Sequence, residues 1–179
     1  FPDGWNIPAG IDTDALRMTL LMYPEAKGLV VTNPTYQGIG TRIGELRDII
    51  GERILFVDEA HGGHFGWVGQ EGFDAWVHGT HKIFGSLTQT GMLHLRAGRV
   101  DISSVQQGLE LLATTSPSYI LLASLDSNRR FLARSGQRLF LEKLPLILQL
   151  KSEIRQTKGV ELLEESLSGS AKTVDPWKI

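Results

Sequence analysis

The stretch ILFVDEAHGGHFGW (residues 54–67) runs four apolar residues into Asp58 and Glu59, then places His61 and His64 in a glycine-rich segment. A short apolar run bounded by turn residues reads as a buried strand, with Asp58 at its carboxyl end. In an open α/β sheet, ligands gather beyond the carboxyl ends of the strands. The fold therefore turns on whether similar strands, separated by helices, flank this one.

They do. Before it, DTDALRMTLLMYPEAKG (12–28) has Asp12 or Thr13 as a helix N-cap and Gly28 as a stop, LVVTNPTYQG (29–38) is a β-branched run ended by a Pro turn, and TRIGELRDIIG (41–51) is a short helix closed by Gly51. After it, FDAWVHGTHK (73–82) and QTGMLHLRAG (89–98) read as third and fourth strands, and from residue 102 the chain is helical: ISSVQQGLELLAT, SYILLASLDSNRRFLAR, and a segment over about 136–157. Continuous apolar strands alternating with helices predict an α/β layer with a mostly parallel sheet flanked by helices. Asn33, Asp58 and the pair His81-Lys82 then lie at or just past strand ends and converge on one crevice. The segment ESLSGSAKTV (165–174) is small and polar like a linker.

Bulk properties bound the rest. With 179 residues the chain is long enough for one domain, and its 41% hydrophobic and 21% charged residues are ordinary for a globular protein. A net charge of −2 argues against a nucleic-acid surface, and the absence of cysteine excludes disulfides and thiolate metal sites. No apolar run is long enough to span a membrane, so a cytoplasmic protein is expected. The first residues, FPDGWNIPAG, carry neither an initiator Met nor a signal peptide, which suggests a chain incomplete at both ends.

Three chemistries fit the quoted stretch. The letters DEAH occur in nucleotide-hydrolysing strands, but those need a G-x-x-x-x-G-K-[ST] phosphate loop upstream, and this chain has none. Asp58, His61 and His64 are possible metal ligands, although their loop spacing does not fix them on one face. The third reading starts from Lys82. An imine-forming lysine must be partly desolvated beside an aldehyde cofactor, and HGTHKIFGSLTQTG surrounds Lys82 with Gly79, Thr80, Ser86, Thr88 and Thr90 as donors to a phosphate. Asp58, on a neighbouring strand, would keep a pyridine nitrogen protonated, the condition under which pyridoxal 5'-phosphate acts as an electron sink. A surface lysine is the plain alternative.

Motifs in order through residues 29 to about 135 sharpen the third reading. VVTNPTYQGI (30–39), FVDEAHGGHFGW (56–67), VHGTHKIFGSLTQTGMLHL (77–95) and TTSPSYILLASLD (114–126) closely resemble the major domain of the Orn/Lys/Arg decarboxylase family, enzymes that use pyridoxal 5'-phosphate on an aspartate-aminotransferase (type I) fold. The resemblance implies that Lys82 holds the cofactor, that Asp58 pairs with its pyridine nitrogen, and that Ala60 packs on the ring face. His61 stands where relatives often carry Trp, near the ring's phenolic oxygen, and Gly79 where several carry a phosphate-binding Ser. By the same resemblance Thr80 and His81 would contact the phosphate or the imine, and Thr115 and Ser116 would reach the partner subunit's cofactor phosphate; Asn33, from its place at a strand end, is expected to line the cofactor crevice. Lys82, Asp58 and His61 are thus the catalytic candidates.

The resemblance further implies a homodimer with shared sites and decarboxylation of a basic amino acid, arginine ahead of lysine or ornithine, yielding agmatine, cadaverine or putrescine. Residues 1–164 would be the central part of the cofactor-binding large domain, and 165–179 a linker and the start of a small domain. Two alternatives stay open: another type I enzyme, such as an aminotransferase or aldolase-like lyase, and a non-catalytic regulatory module. His64 and His78 read equally as loop and strand polar groups, His94 as a core histidine, Tyr36 as turn packing, Trp67 and Trp76 as core or interface, and residues 128–130 (NRR) as a solvated helix face.

Overall fold

The computed structural model describes residues 6–67, 72–163 and 172–178. Its first helix, α1 (Thr13–Met22), starts where Asp12 Oδ1 accepts hydrogen bonds from Asp14 N at 3.0 Å and Ala15 N at 2.9 Å. The expected stop at Gly28 comes too late. Pro24 drives Tyr23 out of helical geometry, so the helix closes there and Gly28 opens a strand instead.

Strands β1 (Gly28–Thr32), β3 (Ile54–Asp58) and β4 (Ala75–His78) are parallel and adjacent, with Thr32 opposite Asp58 and Asp58 opposite Val77. β5 (Met92–Leu95) closes the order β1-β3-β4-β5 antiparallel to β4, so the sheet is mixed α/β and mostly parallel, as the alternation predicts. Helix α2 (Ile43–Ile50) crosses from β1 to β3. Val31, Leu55 and Val57 point to one face, where Leu16 of α1 and Ile43, Leu46 and Ile50 of α2 bury them. The other face is less covered among the described residues: Val30 is 74% exposed.

Two elements differ from expectation. Ile39–Thr41 forms a short strand, β2, paired antiparallel with β6 (Lys172–Val174). Of the stretch read as a linker, residues 165–171 lie outside the described residues, and Lys172–Val174 is strand; polar composition concealed it because its partner is more than a hundred residues away. The helical half forms α4 (Ile102–Leu112) and a single 37-residue helix, α5 (Tyr119–Arg155). The expected break near residue 135 does not occur: the helix runs through Gly136 and Pro145.

Candidate active site

Three segments meet beyond the carboxyl ends of β3 and β4. The first leaves β3 at Asp58. Its Oδ1 accepts from Ala60 N at 3.1 Å, which turns the chain, while Oδ2 has no hydrogen-bond partner among the described residues. The second is the four-residue helix α3 (Thr80–Ile83), which follows β4 at once and carries His81 and Lys82. A Cβ at Gly79 would stand 3.0 Å from Lys82 Cδ and 3.1 Å from the Ala60 carbonyl oxygen, so the missing side chain makes room for the lysine stem beside Ala60. Lys82 Nζ lies 3.3 Å from His61 Nε2.

The third segment is the turn after β1. Tyr36 meets the His61 ring edge-on at a centroid distance of 5.1 Å, and Lys178 sets its ammonium over the outer Tyr36 ring at 5.5 Å. Partial burial, then the positive charges of Lys82 and Lys178, lower the His61 pKa from 6.5. His61 is therefore neutral at pH 7, and its Nε2 lone pair accepts a hydrogen from the Lys82 ammonium. His81 is fixed differently. Its Nδ1 sits 2.8 Å from the Thr90 carbonyl oxygen, which can only accept, so Nδ1 carries the hydrogen and Nε2 is left for a ligand.

The hydroxyls near Lys82 face inward. Thr80 donates to Thr90 Oγ1 at 2.9 Å, Ser86 joins the same oxygen at 2.6 Å, and Thr90 donates to the Leu87 carbonyl at 2.7 Å. All three residues are buried. This knot braces α3 and the loop behind it, which is the use the structure makes of the Thr80 hydroxyl. Helix α5 braces the same loop: Ser124 Oγ accepts from Leu87 N at 2.8 Å, and Asn128 donates to the Phe84 carbonyl. Asn128 is thus a docking residue, unlike the solvated face expected of residues 128–130.

Asn33 stands beside Asp58, whose carbonyl oxygen accepts from its N–H at 3.0 Å, but its side chain is turned inward. It is 2% exposed, and its Oδ1 accepts from Thr41 N at 2.7 Å, holding β2 under the strand end. Thr115 and Ser116 lie exposed between α4 and α5; Ser116 N bonds Thr114 Oγ1 at 3.1 Å, and neither residue hydrogen-bonds to Asp58, His61 or Lys82. Of the residues expected at the site, the structure brings Asp58, Ala60, His61, His81 and Lys82 together beyond the strand ends.

The histidines divide by partner. His64 is buried and pairs through Nε2 with Asp175 Oδ1 at 3.0 Å, stacks on Phe140 at 5.6 Å and meets Trp177 edge-on at 5.1 Å. It clasps the end of the chain instead of joining Asp58 and His61. Among the described residues no three His, Cys, Asp or Glu side chains come together to hold a metal ion. His78 bridges Glu59 Oε2 at 2.8 Å and His94 Nε2 at 3.1 Å, and His94 stacks on Trp76 at 5.1 Å.

The family model for the Orn/Lys/Arg decarboxylase major domain matches residues 4–178. The chain belongs to the Orn/Lys/Arg decarboxylase family. Its relatives in that family include the arginine decarboxylase of Bacillus subtilis (strain 168), 37% identical over 97% of this chain and 38% of that protein. The biodegradative arginine decarboxylase of Escherichia coli (strain K12) is 33% identical over 54% of this chain and 15% of that protein. The chain thus spans well under half the length of these relatives. Among solved structures, the E. coli constitutive lysine decarboxylase superposes with a TM-score of 0.66 at 18% identity, covering 84% of this chain and 27% of that one. The Francisella novicida lysine decarboxylase superposes at 0.61 with 20% identity, over 71% of this chain and 20% of that one. At those identities the likeness concerns the fold.

Of the residues beside His61, Lys178 was not singled out by sequence reasoning and Tyr36 was read as turn packing. A turn tyrosine and a lysine 96 positions beyond Lys82 (178 − 82) give no spacing signal, because β6 and the His64–Asp175 clasp bring them together.

Proposed function

We propose that the full-length protein removes the α-carboxylate of a basic amino acid, with pyridoxal 5'-phosphate as cofactor. The observation that carries this is the placement of Lys82 Nζ 3.3 Å from a neutral His61 beyond the strand ends, with the Asp58 carboxylate at the end of β3. The donor set fits such a group: an amine to hold it, an under-partnered carboxylate for a pyridine nitrogen, the small Ala60 beside it for a flat ring, and a free His81 Nε2. When bound, the cofactor supplies an electron sink for the pair released as carbon dioxide leaves. Lys82 would hold it through Nζ, and Asp58 Oδ2 would keep the ring nitrogen protonated.

His61 Nε2, 3.3 Å from Lys82 Nζ, orients the amine by a hydrogen bond. The inward knot of Thr80, Ser86 and Thr90 keeps α3 rigid, which holds Lys82 in place over Gly79. Arginine is the favoured substrate, since the relatives of highest coverage are named arginine decarboxylases; lysine and ornithine are the others to assay. Agmatine, cadaverine or putrescine would then enter polyamine metabolism.

On the same reading the fold is the type I large domain, residues 1–164 are its central part, 165–179 lead to a small domain, and residues 172–178 return to the body before that domain begins. Thr115 and Ser116, exposed at the α4–α5 turn, would serve a partner subunit's cofactor phosphate in a cytoplasmic homodimer. Asn33 contributes to cofactor binding by holding the turn after β1. Among the described residues no helix is long and apolar enough to cross a membrane.

Borohydride reduction of the full-length protein, followed by peptide mapping, should place a pyridoxyl group on Lys82, and Lys82→Ala should remove both the visible absorption of the bound cofactor and carbon dioxide release. A label on Lys27 or Lys143 would end the assignment.

A further inference from the structure

We infer that His64 and Asp175 are a positioning pair for Lys82: their buried bond fixes the loop after β3, and that loop keeps His61 Nε2 against Lys82 Nζ. This rests on the reading of Lys82 given above and adds two residues that do not touch the site. His64 lies three positions beyond His61, and the chain between them has little slack. A Cβ at Gly62 would collide with Pro34 Cδ and stand 2.6 Å from Glu59 Cγ. One at Gly63 would stand 2.6 Å from the Phe84 ring. The loop therefore threads between the turn after β1 and the residue that ends α3, where only glycine lets the backbone pass.

Asp175 is where the other restraints meet. Its Oδ1 accepts from His64 Nε2 at 3.0 Å and from Trp177 N–H at 2.9 Å. Its own N–H donates to the Gly38 carbonyl at 2.8 Å, continuing the β2–β6 ladder, and the Trp177 indole N–H donates to the Phe140 carbonyl of α5 at 3.3 Å. One buried side chain thus ties the loop of His61 to the turn of Tyr36 and to α5. His64 Nδ1 and Asp175 Oδ2 are buried with no hydrogen-bond partner among the described residues, so the Nε2–Oδ1 bond is the directional link between the two. The His61 ring meets Tyr36 edge-on and has Lys82 as its hydrogen-bond partner among the described residues. Its placement on Lys82 depends on the loop that carries it.

Two variants of the full-length protein separate the bond from the ring. His64→Phe keeps a ring to stack on Phe140 and loses the donor; His64→Gln loses the ring and keeps an N–H of similar reach. In protein freed of cofactor Lys82 is a free amine, and its rate of capture of added pyridoxal 5'-phosphate can be read from the rise of visible absorption. That rate should fall about 10-fold in His64→Phe, and His64→Gln should recover most of it. A joint that serves only stability would lower the urea midpoint and leave capture by the folded protein unchanged. In the wild type, hydrogen exchange read by mass spectrometry should show peptides over 60–65 and 175–178 opening with the same free energy, because one bond holds both.

Wild-type capture by folded His64→Phe, or an equal loss in His64→Phe and His64→Gln, would overturn the inference and leave the decarboxylase reading intact. So would a 60–65 loop that opens independently of 175–178, the measurement that decides the matter if His64→Phe does not fold. Wild-type protein that captures no pyridoxal 5'-phosphate would overturn both.

Discussion

Two aspartates stand at opposite ends of the same parallel strands and are treated in opposite ways. Asp74, just before β4, is 1% exposed and saturated: Oδ2 accepts from Leu55 N at 2.8 Å and Arg47 at 2.7 Å, and Oδ1 from Arg99 at 2.9 Å. Burial alone would raise its pKa, but the bonds from Arg99, Leu55 and Arg47 outweigh that and hold it below the usual carboxylate value. Asp58, at the carboxyl end of β3, is half-buried, with one bond to its own turn and a second oxygen left over. The amino end of the sheet spends its carboxylate on joining α2, β3 and the segment after β5. The carboxyl end keeps one in reserve. The Asp58 oxygen left over is open to water or to a ligand, whereas both oxygens of Asp74 are taken.

The two substitutions that keep shape and remove charge should therefore have crossed effects. Asp58→Asn is expected to lower turnover by two to four powers of ten, about 3–5 kcal/mol of transition-state stabilisation, while the urea midpoint changes little. Near-normal turnover would show that Asp58 is not the partner of the ring nitrogen. Asp74→Asn strips the charge from a site holding two guanidinium groups and should cost about 3 kcal/mol of stability, read from chemical denaturation, with turnover per folded molecule unchanged. Should Asp74→Asn slow the folded enzyme as Asp58→Asn does, the division between the two sheet ends would fail.

What could be read from the sequence follows the range of the interactions. The strands expected within 29–38, 53–59 and 73–82 and the placement of Lys82 just past the third come from local apolar runs, and the structure has them at Gly28–Thr32, Ile54–Asp58 and Ala75–His78. The direction of β5 was not legible, since an antiparallel edge has the same short apolar pattern. Nor was the inward turn of Asn33, which depends on Thr41 across a loop. His64 looked like a neighbour of Asp58, but its partner Asp175 is 111 residues away. The pair of Lys178 and Tyr36 is hidden for the same reason. Long-range clasps leave no period in a sequence.

The smallest predicted effect concerns the remaining buried polar chain, Glu59, His78 and His94, which lies beside the site without entering it. Burial, followed by the charge of His78, lowers the pKa of His94 to about 4, against 6.5 for the unfolded chain. As pH falls below 6.5 the unfolded chain takes up a proton that folded His94 still refuses, so this group makes the fold lose stability across the window from 6.5 down to about 4 and no further below it. Glu59 acts in the opposite direction. Burial raises its pKa above 4.5, partly offset by His78, so the folded carboxyl keeps its proton longer than the unfolded one and stability falls as pH rises through that raised value. His94→Gln keeps a donor for His78 Nδ1 and cannot titrate. Its urea midpoint should match wild type closely above pH 6.5 and should decline less than wild type midway between 6.5 and 4. Parallel declines in the two proteins would mean that the acid sensitivity lies in other groups, and that His94 is only a packing partner of Trp76.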